Sequence, residues 1–73
     1  MGKKEMDSVY CIVDVVGISE KSWEDAGRRG VETAAGSLRD LRVAEVTQMD
    51  MKVKDGKVTA FRTRVALSFK YEG

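Results

Sequence analysis

The sequence has no histidine, no proline and a single cysteine, Cys11. Each absence excludes something. Without histidine, the usual general base near neutral pH is missing, and so is any Ser/His or Cys/His nucleophile pair. One cysteine cannot close an internal disulfide, and without histidine or a CxxC pair there is no structural zinc site. Aromatics are only 7% of the 73 residues. No apolar run reaches the length of a signal peptide or membrane span. A free thiol without an export signal fits a reducing, cytoplasmic setting. The glycines Gly27, Gly30 and Gly36 fall inside a helical pattern rather than a phosphate-binding loop. These absences weigh against an enzyme.

Charge is nearly balanced, with 13 Lys and Arg against 12 Asp and Glu. A chain built to grip a nucleic-acid backbone carries a clear basic excess, so no nucleic-acid partner is expected. A domain this small buries only about 60% of its unfolded surface. Small scaffolds add disulfides, a metal or oligomerisation. With the first excluded and no zinc site, self-association is the expected source of further burial.

The chain reads as one domain over residues 1–73, with 1–7 a frayed polar start. Val9 to Val16 is rich in β-branched residues and apolar on both faces, which suits a strand covered on both sides, or one covered once by its own helix and once by a neighbouring subunit. Gly17-Ile18-Ser19 is read as the break after it. Ser19 and Ser22 are alternative helix N-caps, and Glu20, Glu24 and Asp25 suit the positive end of the helix dipole. The helix is expected to run to about Arg39 or Asp40. Its stripe of Trp23, Gly27, Gly30, Val31, Ala34 and Leu38 is narrow and small. Three glycines each cost roughly 1 kcal/mol of helix propensity, so something must approach this helix closely.

Leu41 to Lys54 reads as a second strand. Its apolar parity shifts between Val46 and Met49, which predicts a bulge. Asp55-Gly56 is a two-residue hairpin signal. The third strand alternates cleanly from Thr59 to Tyr71: Phe61, Thr63, Val65, Leu67 and Phe69 face a core, while Arg62, Arg64 and Lys70 face away. The fold class is therefore α+β, in the order β-α-β-β. A crossover leaves a gap that the third strand fills, giving an antiparallel sheet of order 2-3-1 on one helix. The second sheet face, with Tyr10 or Cys11, Val43 and the two arginines, has no cover. Such faces mark interfaces or ligand sites.

The order and the local motifs resemble the dodecin family. The motifs are Val15-Val16-Gly17-Ile18-Ser19, Ser22-Trp23-Glu24-Asp25-Ala26, Arg42-Val43-Ala44-Glu45-Val46, Asp55-Gly56 and Phe61 through Phe69. The resemblance implies a hollow homododecamer that sequesters flavins, FMN or riboflavin, stacked between subunits without turnover. The flavin-contacting positions carried over are Arg42, Val43, Glu45 and Arg62. Two of them depart from the family. The stacking tryptophan falls at Val43, or at Glu45 in relatives that place it two residues on. The glutamine that bonds the flavin edge falls at Arg62. Losing the ring forfeits about 0.5–1.5 kcal/mol of stacking on each wall beyond burial. Weakened flavin affinity is expected, with FMN favoured because a guanidinium suits its phosphate.

The alternative is a dodecin-fold shell that has lost flavin and binds cations, calcium or magnesium, or is structural. Glu45 and Asp50 are its candidate ligands, completed only by symmetry copies. Each residue also has a plainer reading. Val43 packs at a subunit interface. Arg62 and Arg64 form inter-subunit salt bridges with Glu45, Asp50 or Glu32. Trp23 is core, Met49 and Met51 fill core or interface, and Cys11 is an inert buried thiol.

Overall fold

The structure is a computed structural model that describes residues 9–70. The frayed start expected over 1–7, and Tyr71 of the third strand, lie outside the described residues. The elements are β1 (Tyr10–Ser19), α1 (Trp23–Ala35), β2 (Leu41–Lys54) and β3 (Lys57–Lys70). The sheet order is β1-β3-β2, the expected order read from the other edge. Both pairings are antiparallel.

β1 does not break at Gly17. It continues to Ser19, with Gly17 opposite Thr63 and Ser19 opposite Phe61. The glycine serves close approach rather than a turn. A Cβ at Gly17 would lie 1.8 Å from the carbonyl oxygen of Ala26 and 3.0 Å from the amide of Gly30. The helix backbone therefore rests directly on β1. Gly30 faces Gly17 across this contact, and Gly27 packs against the Thr63 side chain. That contact answers for the small stripe on the helix.

Ser22 caps α1, its hydroxyl accepting from the Asp25 amide at 3.0 Å. The helix ends at Ala35, four residues or more short of the expected end. Gly36 and Ser37 are poor helix formers, and their amides turn to Thr33 and Ala34 in a tightened last turn. Asp40, at φ 52°, then redirects the chain into β2. The Asp55-Gly56 turn has φ 53° and 76°, both positive as a type I′ hairpin requires.

The buried hydrophobic residues among those described are Ala26, Ala60, Val65 and Leu67. This is a very small core, and the geometry explains why. A 13-residue helix is about 20 Å long, whereas 14-residue strands run to about 46 Å. The helix covers β1 and β3 and leaves the inner side of β2 open. Val46 is 54% and Met49 57% exposed, so in a single chain the methionines are not core. Trp23 and Cys11 are half-buried rather than fully enclosed. No helix among the described residues is long and apolar enough to cross a membrane.

Candidate functional site

Directly opposed residues of an antiparallel sheet share a face. The register therefore sorts the side chains without ambiguity. Arg62, Arg64, Ala66, Ser68 and Lys70 of β3 face away from α1. So do Ile18, Val16, Asp14, Ile12 and Tyr10 of β1, which oppose them in turn. From β2, Val43 opposes Ser68, Glu45 opposes Ala66, Gln48 opposes Arg64 and Asp50 opposes Arg62. This is the expected uncovered face. Its apolar members Ile12, Val16, Ile18 and Val43 are exposed.

Glu45 and Asp50 are five residues apart, so strict alternation would place them on opposite faces. The register shifts between Val46 and Gln48, and this irregularity returns both carboxylates to one face. Thr47 is the extra residue; its hydroxyl donates to the carbonyl of Arg64 at 3.2 Å. The two carboxylates nonetheless sit four β3 residues apart, about 13 Å. They do not meet in one chain. Among the described residues no three acidic or cysteine side chains group to hold a metal.

Arg62 meets Asp50 in a bidentate fork, Nε to Oδ1 at 2.7 Å and Nη2 to Oδ2 at 3.0 Å. The hydrogen bonds hold the Asp50 carboxyl below its usual range and push the Arg62 guanidinium up. The Asp50 backbone is fixed as well, since Trp23 Nε1 donates to its carbonyl at 2.9 Å. Trp23 packs edge-on against Phe61, with ring centroids 5.0 Å apart. Arg64 reaches Asp14 at 3.2 Å. Arg62 thus meets Asp50, one of the partners expected from a neighbouring subunit, within its own chain, because the bulge at Thr47 sets the two opposite each other, whereas Asp14 was not among the partners expected for Arg64. Arg42 falls in another register shift, between Leu41 and Val43, and opposes no β3 residue. Val43 presents no ring. Tyr10, at the far end, is the one aromatic on this face among the described residues.

On the helix side a second network was missed in the sequence. The buried Ser19 hydroxyl donates to Asp25 Oδ2 at 2.6 Å and accepts from the Lys21 amide at 2.9 Å. Arg29 Nε donates to the same carboxylate at 2.7 Å. Ser19 first, then Arg29, hold Asp25 below its ordinary range. Ser19 is thus not the N-cap but a brace between the end of β1 and the first turn of α1. The i,i+4 spacing of Asp25 and Arg29 was the available signal.

The family model described as Dodecin matches residues 9–72. This chain belongs to the dodecin family. A curated relative named calcium dodecin, from Mycobacterium tuberculosis, is 44% identical over 64 residues, covering 86% of this chain and 89% of the relative. The crystal structure of calcium dodecin from that organism is 41% identical with a TM-score of 0.78, covering 89% of this chain and 93% of that one. It is described as calcium-chelating, with a calcium-binding site. A dodecin from Streptomyces coelicolor is 33% identical with a TM-score of 0.84, covering 92% of this chain and 96% of that one.

Proposed function

We propose that this chain is the subunit of a twelve-copy dodecin shell that holds divalent cations, calcium foremost, between copies and without turnover. The observation that carries this reading is the occupied fork on the open face. Arg62, at the family's flavin-bonding position, is engaged by Asp50, and Val43 offers no ring to stack on. The same face carries the carboxylates of Asp14, Glu45 and Asp50. Calcium takes six to eight oxygens, more than the described residues of one chain bring together, so symmetry copies would complete the shell of ligands. The likeness to a relative named calcium dodecin supports the same choice over magnesium.

Flavin binding is the second reading. It is favoured by the flat apolar strip of Ile12, Val16, Ile18 and Val43, on which a ring system can lie. The two readings separate in one pair of measurements on the assembled protein. Calorimetric titration with calcium, against magnesium, should show saturable uptake that Glu45→Gln weakens. Titration into FMN and riboflavin should leave their fluorescence unquenched. Absence of calcium uptake, with flavin quenched instead, would reverse the order of the two readings.

A further inference from the structure

The Arg62 fork is already filled. A guanidinium presents two parallel donors that match a carboxylate and a phosphate equally well. Asp50 takes that place with both oxygens, at 2.7 and 3.0 Å. The surroundings are cationic. Arg64 stands two residues along the same strand face, and Lys52, opposite Ala60, lies on the other side. Lys52, Arg62 and Arg64 thus line up on one exposed face. Asp50 is the carboxylate set among them, and Asp14 serves Arg64 from β1. Asp50 is not free to wander, because Trp23 pins its backbone oxygen. In a single chain the side chains of Arg62 and Asp50 are 43% and 38% exposed.

We propose that Arg62 is an anion-binding site, of the phosphate class, held shut by Asp50. A divalent cation that takes the Asp50 carboxylate opens it, so cation and anion bind together. The cation half rests on the reading given under Proposed function; the shut fork does not. By linkage, whatever factor the cation adds to anion affinity, the anion adds to cation affinity. An exposed ion pair is a modest lock, so about a fivefold effect is expected.

The probe is phenyl phosphate, which stays soluble with calcium, titrated into the assembled protein by calorimetry. In calcium-free buffer, Asp50→Asn should bind it about fivefold more tightly than the unaltered chain. Arg62→Gln, alone or with Asp50→Asn, should abolish the gain. Calcium should tighten the unaltered chain by a similar factor and leave Asp50→Asn unmoved. If Asp50→Asn binds no more tightly than the unaltered chain, the shut anion site is wrong. If the chain takes up no calcium, the cation reading and the coupling fail, while the calcium-free comparison still decides the anion site. Light scattering on each variant establishes that the assembly is intact.

Discussion

Trp23 Nε1 donates to the main-chain oxygen of Asp50 at 2.9 Å, tying the first turn of α1 to β2. Trp23→Phe would keep the edge contact with Phe61 but leave that carbonyl without its donor. The expected loss is about 1 kcal/mol, the net worth of a neutral hydrogen bond. Urea unfolding followed by circular dichroism, at one fixed chain concentration, reads it. An unchanged midpoint would show that the bond contributes nothing.

Gly17→Ala should be far worse than Gly36→Ala. The added methyl at Gly17 meets the Ala26 carbonyl at 1.8 Å, and neither backbone can yield without lifting the helix. A loss of about 3 kcal/mol or an insoluble chain is expected. At Gly36, φ is −67° and the nearest neighbour is 3.4 Å away, so alanine fits and adds helix propensity. Thermal melts of the two variants side by side test the contrast. Equal tolerance would remove the close-approach account of Gly17.

These two glycines show where the sequence was legible and where it was not. The parity change between Val46 and Met49 foretold the bulge at Thr47, and Asp55-Gly56 foretold the turn, because both are local chemistry. Gly17 was misread as a strand break. A glycine that bends a strand and one that admits a neighbour look alike until the partner, here Gly30, is in place. The helix overran to Arg39 because Leu38 keeps the helical period after Gly36 has ended the helix. Arg62 was rightly placed on the open face and Asp50 was among its named partners, but as a residue of another subunit, since only the bulge brings Asp50 across from it in the same chain. The Ser19–Asp25 contact spans an element boundary, which no periodicity reports.

Acid should weaken the fold through Asp25. Its folded carboxyl titrates below the ordinary value of 3.8, owing first to the Ser19 hydroxyl and then to Arg29. A depressed folded pKa contributes stability above the unfolded value, and the contribution is lost as the pH falls through the folded one. Asp50 follows the same sign through Arg62. Asp25→Asn should therefore flatten the decline in unfolding midpoint below about pH 4. An equally steep decline in the variant would place the acid sensitivity elsewhere.

Val43→Trp with Arg62→Gln should restore flavin binding. The pair supplies the missing ring and frees the edge now locked to Asp50. Quenching of FMN fluorescence at micromolar protein is expected from the double variant and not from the unaltered chain. Failure to quench would mean that residues 43 and 62 do not line a shared slot.

Met49→Lys should break the assembly. Met49 lies on the inner side of β2, most of which α1 leaves uncovered, and is mostly exposed in one chain. A charge placed where another copy packs costs more than the small apolar gain of contact. Light scattering should fall from a multiple of the chain mass towards the mass of one chain. A variant of unchanged size would show that this side of β2 stays in water.

The length mismatch between the helix and the β2–β3 ribbon also shapes the life of a newly made subunit. Among the described residues, the ribbon has no partner beneath it beyond the helix, and the long β2 strand presents an unpaired edge. Unpaired edges invite stray strand pairing, and a backbone opened by thermal fluctuation is the substrate of proteases. An isolated chain therefore races between finding its own kind and being lost. Because encounters between copies rise steeply with concentration, a modest fall in synthesis should deplete the assembled protein out of proportion.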